Sequence, residues 1–219
     1  MSNYTAFFIK QATDCGGASG VYYFDNNEID NLSINLDKIV NDISNDIAIQ
    51  ELVIQHDDVA KLNPSSVNTL RILTLLGNDG NVKVYSTLLR IGGGYTKVDN
   101  FCSGGMAVGV ADNGKLKKYG YYLNGNSVTQ HPLSKIDFLD YQLPSIDKAK
   151  ELVKKAHIYV PHFRMVSWDV AIEKDGTPIL IEANLADGQL DLHQLTNGPL
   201  FKEDTKKILD EVFNDGGNV

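Results

Sequence analysis

Three oxygen-bearing side chains toward the carboxyl end of the chain have the types and spacing to hold a hard cation. They lie in Ser167 to Asn184 (SWDVAIEKDGTPILIEAN), where two apolar runs, Val166 to Ile172 and Pro178 to Ala183, flank Asp175-Gly176. An Asp-Gly pair between apolar runs signals a two-residue type I′ hairpin turn. With those two residues as the loop, Asp169 lies directly opposite Glu182 and Ser167 opposite Asn184. Side chains two apart on a strand share a face. Asp169, Glu182 and Asn184 therefore converge, while Trp168, Val170, Ile172, Ile179, Ile181 and Ala183 form a core surface. Like charges placed opposite each other destabilise a sheet, and carboxylates beside a core are costly unless a cation sits between their oxygens. Two carboxylates and an amide oxygen suit Mg²⁺, which takes one or two carboxylates and completes its octahedron with water and phosphate oxygens. The competing reading is a solvated hairpin face on which acids occur by chance.

Phosphate chemistry is signalled at the other end. Lys10 stands at the end of an apolar run, Tyr4 to Gln11, followed by Asp14 to Gly20 (DCGGASG), which contains Gly16, Gly17 and Ser19. Small residues let backbone N–H groups approach phosphate oxygens, and a Lys beside them reaches the same charge. The order is not that of a Walker A loop, because the Lys precedes the glycines; a flexible surface hairpin accounts for the segment equally well. The chain has only three arginines, Arg71, Arg90 and Arg164, and the first two stand in apolar strand-like runs. A planar guanidinium there suits phosphate or carboxylate oxygens, and a structural salt bridge is the competing account. No Ser-His or Cys-His arrangement emerges, so no covalent nucleophile is implied.

The elements that must position these groups follow from periodicity and turn chemistry. Tyr4 to Gln11 and Val21 to Phe24 form a hairpin around the glycine loop. Ser33 to Ser44 has helical spacing, and Ile47 to Ile54 is a strand. His56 to Leu62 is a helical turn stopped by Asn63-Pro64. Val67 to Leu76 and Val82 to Ile91 are strands joined at Asn78-Asp79-Gly80, and Cys102 to Tyr122 is a further hairpin around Asp112-Asn113-Gly114. Tyr95, Lys97, Asp99 and Asn100 belong to a polar loop, and Asn124 to Asp140 is an irregular edge cover. Ile146 to Val160 is a helix with Ser145 as N-cap. After the acidic hairpin comes an irregular stretch with Gly188 and Gly198-Pro199, then an amphipathic helix, Lys202 to Phe213. There is no internal repeat.

Composition limits the function. A chain of 219 residues with 42% apolar and 22% charged content is long enough for one sizeable core or two small lobes. No apolar run is long enough to span a bilayer and no basic-then-apolar leader opens the chain, so a cytoplasmic protein without membrane insertion is expected. The net charge of −8 argues against a nucleic-acid surface, though a nucleotide remains admissible through local cations and bound metal. The two cysteines, Cys15 and Cys102, have no CxxC spacing and are expected as free thiols.

An Asp on one strand followed by Glu182-Ala183-Asn184 on the next resembles the metal signature of the ATP-grasp superfamily. Gln55-His56, the run Lys61 to Arg71 (KLNPSSVNTLR), Leu89 to Gly92, Val98 to Phe101 and Ser167 to Ala171 resemble the sugar-transfer-associated ATP-grasp family, related to α-L-glutamate ligases. The resemblance covers about Phe7 to about Leu185. It implies an α+β ATP-grasp fold, with a small lobe over residues 1–54, a larger antiparallel-sheet lobe over 55–219, and nucleotide between them. It implies ATP as cofactor with two Mg²⁺ ions at Asp169, Glu182 and Asn184. Lys10 and the Gly16, Gly17, Ser19 loop would contact phosphates, and Glu51 and Val53 the adenine edge. The implied reaction is carboxylate-amine ligation through an acyl phosphate, with a saccharide-linked or cell-surface polysaccharide substrate. A non-catalytic ATP-binding module and a kinase-like phosphotransferase are the alternatives on the same scaffold. Well-known ligases of the superfamily carry an Arg two residues before the metal-binding Asp; here that residue is Ser167, which leaves the charge to Arg90 or Arg71, with Arg164 a weaker candidate. Only nine residues precede Lys10, so the resemblance also implies a core lacking the usual N-terminal domain.

Overall fold

A computed structural model describes residues 6–11, 21–25, 46–94, 104–186 and 188–214. The expected Ser33 to Ser44 helix, the glycine loop with Gly16, Gly17 and Ser19, and the 95–103 loop lie outside the described residues. The chain divides into two compact units, Met1–Ile54 and Gln55–Val219.

The first unit contains an antiparallel sheet of order β2-β1-β3, made of β1 (Ala6–Gln11), β2 (Val21–Asp25) and β3 (Ile47–Glu51). Alternation decides its faces. Phe7 and Ile9 lie two apart on β1, opposite Phe24 and Tyr22, and these four side chains pack around buried Ile9 and Phe24. Phe7 and Phe24 stack with ring centroids 5.5 Å apart. Lys10 pairs with Val21 on one side and Ala48 on the other, one residue before the strand ends.

The second unit is built on a seven-stranded, wholly antiparallel sheet of order β10-β9-β4-β5-β6-β7-β8. Its strands are β4 (Thr69–Leu76), β5 (Val82–Ile91), β6 (Met106–Val110), β7 (Leu116–Tyr122), β8 (Ser127–Val128), β9 (Met165–Ile172) and β10 (Pro178–Asn184). One face carries the main core: Leu70, Ile72, Leu89, Ile91, Val108, Trp168 and Val170 are all buried there. A short helix, α1 (Asp57–Ala60), precedes β4, and Val59 joins this core. Helix α2 (Ile146–His157) packs Ile146, Ala149 and Val153 onto the same core, a spacing that aligns them on one stripe. Phe138, from the segment expected only as edge cover, is fully buried against it.

Several boundaries depart from the sequence reading. The stretch around Gly188 contains helix α3 (Leu190–Asn197), which presses Leu192 onto Leu88 and Ala107 on the sheet's other face. Ser145 stands at the N-cap position of α2, as expected, and its carbonyl accepts from the Ala149 N–H at 2.9 Å, but its side chain makes no capping hydrogen bond. Its backbone is left-handed (φ 57°), and its hydroxyl donates to the Gly176 carbonyl at 2.6 Å, tying the helix start to the hairpin turn. The last element is a 3-10 turn, Lys202–Asp204, leading into α4 (Thr205–Asn214). Among the described residues no helix is long and apolar enough to cross a membrane.

The acidic hairpin itself is built differently from the two-residue turn expected. The Glu173 N–H donates to Thr177 O and the Gly176 N–H to Glu173 O, each at 2.8 Å, with Gly176 at φ 83°. This is a three-residue loop closed by a left-handed glycine. It pairs Ile172 with Pro178, Ala171 with Ile179 and Val170 with Leu180, so Ile179 lies across from Ala171 rather than on the side of Val170, and Leu180, on that side, is 40% exposed. A bulge at Ile181 then inserts one residue, and beyond it Asp169 faces Glu182, Trp168 faces Ala183 and Ser167 faces Asn184. The longer turn and the bulge offset each other, and the pairing at the acidic end is the one the sequence called for.

Candidate functional site

Register places a charged row across three strands: Glu182 on β10 pairs with Asp169 on β9, which pairs with Arg71 on β4. Arg90 enters diagonally from β5, where its Cα partner on β4 is Thr69. Arg71 grips Asp169 with its Nε donating to Oδ1 at 2.8 Å and its Nη2 to Oδ2 at 2.7 Å. Arg90 Nη1 donates to the same Oδ2 at 2.9 Å. The side chains are nearly out of solvent, 6% exposed for Arg71, 5% for Asp169 and 13% for Arg90. Two cations and two carboxylates, counting Glu182, leave the row neutral. That balance answers the repulsion a facing Asp and Glu would otherwise suffer.

Arg71 is held from its other side by Gln189, whose side-chain oxygen accepts from Nη1. Gln189 stands just before α3 with a left-handed backbone (φ 52°), an unusual conformation for a residue with a side chain. Beside it, His193 Nδ1 lies 2.8 Å from Ser86 Oγ and its Nε2 lies 3.2 Å from Ser167 Oγ. Asn197 adds a hydrogen bond to Ser86 Oγ at 2.9 Å. Burial, and then the positive charge of Arg71, push the His193 pKa down to about 3, so the ring is neutral. Ser167 is thus committed to a buried polar cluster. The sequence reading missed this cluster and Gln189. The visible signal was Gly188: a Cβ there would lie 2.8 Å from the Ser167 Cβ, so the chain passes close only because the residue is glycine.

The motif Lys61 to Arg71 has a positioning role. Asn68 Nδ2 donates to Val59 O and Asn63 O, both at 2.9 Å, and Gln55 Nε2 to Ser66 O at 2.7 Å. Asn63 Nδ2 donates to Gly92 O at 3.0 Å, and His131 Nε2 lies 3.0 Å from the same oxygen. Asn63, Asn68 and His131 are buried. Their amides satisfy the backbone around the start of β4 and the end of β5, the two points from which Arg71 and Arg90 project.

The residues fit a hard cation, with unequal shares. A carboxylate offers about four acceptor directions, and three of those on Asp169 are taken by the arginines. Glu182 is exposed and makes no hydrogen bond or ion pair with a described residue. Asn184 donates from Nδ2 to Ser167 O at 3.2 Å, which leaves its amide oxygen for a ligand. Among the described residues no three His, Cys, Asp or Glu side chains gather, so the set is two carboxylates and one amide. Asn184 and Ser167 also line a cavity of about 260 Å³ with His162, Arg164 and Leu190. Arg164 itself donates to Glu211 of α4 at 2.8 Å, which ties it to the terminal helix. In the other unit, Glu51 is exposed at the end of β3 and Val53 is half-buried just after it.

Known proteins with this architecture define its class. D-alanyl-alanine synthetase A from Vibrio cholerae O1 biovar eltor superposes over 99% of this chain and 53% of its own length, at 14% identity and a TM-score of 0.53. D-cycloserine synthetase matches 88% of this chain and 55% of its own (11% identity, TM-score 0.47), and D-alanine-D-alanine ligase from Coxiella burnetii 97% and 50% (10%, 0.39). The chain thus spans about half the length of these structures. The fold is the ATP-grasp fold. The description "Sugar-transfer associated ATP-grasp" matches residues 27–210, and the chain belongs to that family, as its sequence motifs indicated. No curated protein matches the chain in sequence.

Proposed function

We propose that this protein is an ATP- and Mg²⁺-dependent carboxylate-amine ligase, or the catalytic core of one. The observation that carries the reading is the row of Glu182, Asp169 and Arg71 with Arg90 beside it. It sets two guanidinium groups next to a carboxylate and amide oxygen open to a ligand. In this reading Glu182, Asn184 and the remaining lone pair of Asp169 hold the divalent ions, two in number. When bound, they neutralise the outer phosphates of ATP during phosphoryl transfer. Arg71 fixes Asp169 in place, and Arg90, the more open of the two, offers positive charge to the reacting oxygens. Lys10, Gly16, Gly17 and Ser19 contact the phosphates, and Glu51 and Val53 the adenine edge.

The chemistry is two displacements. A substrate carboxylate oxygen attacks the γ-phosphorus and ADP leaves, giving an acyl phosphate. An amine then attacks the acyl carbon, loses a proton, and expels inorganic phosphate as the amide forms. The family's sugar-transfer association supports a saccharide-linked substrate; in this reading the reaction serves cell-surface polysaccharide modification and takes place in the cytoplasm, where ATP is supplied.

The test is hydroxamate formation from ATP, Mg²⁺, hydroxylamine and a panel of free carboxylates, with ADP release measured in parallel. Carboxylate-dependent hydroxamate that is lost in Glu182→Ala, with the variant's unfolding temperature unchanged in the absence of Mg²⁺ and nucleotide, is the expected result. Nucleotide protection without turnover would make the chain an ATP-binding module, and ADP release with hydroxyl but not carboxyl acceptors a kinase-like enzyme. A Glu182→Ala protein with full Mg²⁺-dependent ATP affinity would remove the hairpin from the site.

A further inference from the structure

A second concentration of charge lies outside the acidic hairpin. Lys83, Lys117, Lys150, Lys154 and Lys202 line one cavity of about 490 Å³, in a chain whose net charge is −8. The cavity exists because the sheet is split. Strand β6 pairs only with Leu88 to Ile91, so the first half of β5 is bonded to β4 alone and its other edge forms the cavity floor. Lys150 and Lys154 come from α2, Lys117 from β7, and Lys202 from the segment after α3.

Carboxylates answer only part of this charge. Lys83 pairs with Asp204, which also accepts from the Tyr85 hydroxyl at 3.0 Å. Lys154 pairs with Glu151 at 2.8 Å, and Lys150 reaches the fully exposed Asp112 only at 3.8 Å. Neither Lys117 nor Lys202 makes an ion pair with a described residue. Burial, and then the charge of Lys202, push the Lys117 pKa down, and Asp112, which also lines the cavity, opposes the shift without reversing it. Thr87, another lining residue, is buried and its hydroxyl has no hydrogen-bond partner among the described residues.

Lysines are placed on free strand edges to discourage sheet-to-sheet pairing, but only Lys83 stands on the edge itself. An added peptide strand is disfavoured as well, because Asn197 Nδ2 already bonds Thr87 O and Ser86 Oγ, both at 2.9 Å. The volume is that of a small-molecule site, and compact ammonium charges from separate elements suit a phosphate cluster. We propose that this cavity is a second anion site, taking a small ligand that carries a diphosphate or a comparable multivalent phosphate. It shares no lining residue with the Asp169 row, and its nearest lining residues, Ser86 and Asn197, reach that side only through His193. The proposal does not depend on the ligase reading.

The experiment is calorimetric titration of the full chain, free of Mg²⁺ and ATP, with inorganic pyrophosphate and separately with UDP-glucose. The parent and Glu182→Ala should bind at least one of these alike. Binding should weaken at least about tenfold in Lys117→Gln/Lys202→Gln, the scale of losing a charge-assisted hydrogen bond. Lys202→Gln alone, at an exposed position, should give a smaller loss in the same direction and serves if the double variant does not fold. Tighter binding of UDP-glucose supports the site with a sugar-linked diphosphate as its source, and tighter pyrophosphate supports it with the free anion. Three results overturn the proposal: no binding of either probe at about millimolar concentration, binding unchanged by the lysine substitutions, or binding of poly-glutamate in place of both phosphates.

Discussion

Asp169 faces two demands, and substituting it separates them. In Asp169→Asn the amide settles with its oxygen at the Oδ2 position, where it still accepts from Arg71 Nη2 and Arg90 Nη1, and turns its NH₂ group toward Arg71 Nε. The bond now formed from Arg71 Nε to Oδ1 at 2.8 Å is lost, and two guanidinium groups with 6% and 13% exposure lose the negative charge at position 169. A hydrogen bond to a charged group contributes about 1.5–3 kcal/mol, and removing one partner of a buried ion pair costs about 3–5 kcal/mol. We take about 4 kcal/mol, since the amide oxygen still accepts two of the three hydrogen bonds. For a domain of this size that corresponds to a fall of roughly 8–16 °C in unfolding temperature. The chain's single tryptophan, Trp168, is buried next to Asp169 in the second unit, so its fluorescence follows the relevant transition without Mg²⁺ or nucleotide. Glu182→Gln, at an exposed residue with no partner among the described residues, should shift stability by no more than about 0.5 kcal/mol. An Asp169→Asn transition within about 2 °C of the parent, equivalent to less than about 1 kcal/mol, would show that the Arg71-Asp169-Arg90 cluster does not form in solution.

Acid should weaken the fold through His193. Its folded pKa of about 3 lies below the ordinary histidine value, so the unfolded chain takes up a proton first as pH falls. The stabilisation is complete above about pH 6.5 and declines by up to about 1.4 kcal/mol per pH unit toward pH 3. His193→Asn should flatten the dependence between pH 6.5 and 5, above the range where most carboxylates titrate, and urea unfolding at each pH measures it. His131 is pushed down in the same direction by burial and leaves a residual slope in that variant. Thr74→Val keeps the side-chain shape but strips the hydroxyl that accepts from Trp168 Nε1 at 2.8 Å, lies 2.7 Å from His157 Nδ1 and donates to Val166 O at 3.1 Å. Stranding those buried groups should cost about 2–4 kcal/mol by denaturant titration, whereas a loss below about 1 kcal/mol would mean the groups find other partners.

The sequence by itself determined what local chemistry determines. Alternating apolar residues and turn dipeptides placed β4, β5 and the β6-β7 hairpin nearly to the residue, and Asp175-Gly176 marked the acidic hairpin. It also put Asp169 opposite Glu182, although the route differs: a bulge at Ile181 restores the register that a longer turn had shifted. A bulge has no strong local signature, because it is set by how the strand must bend against its neighbours. Helix α3 was read as irregular because its eight residues show little amphipathic stripe. What holds them helical and in place is Leu192 on Leu88 and Ala107, a contact made only after the sheet exists.

Only the tertiary structure decided who partners whom. Arg71 and Asp169 are 98 residues apart in the chain, and neither names the other locally: Arg71 reads as a guanidinium in an apolar strand suited to phosphate, carboxylate or a salt bridge, and Asp169 as a metal ligand or one acid of a solvated face. The pairing of β4 with β9 sets their side chains on one face with Arg90 alongside. A buried charge is stable there only because opposite charges arrive with it. The five lysines around the split in the sheet come together in the same way. Their convergence depends on where β6 stops pairing with β5, which is a property of the whole sheet and leaves no mark in any single segment.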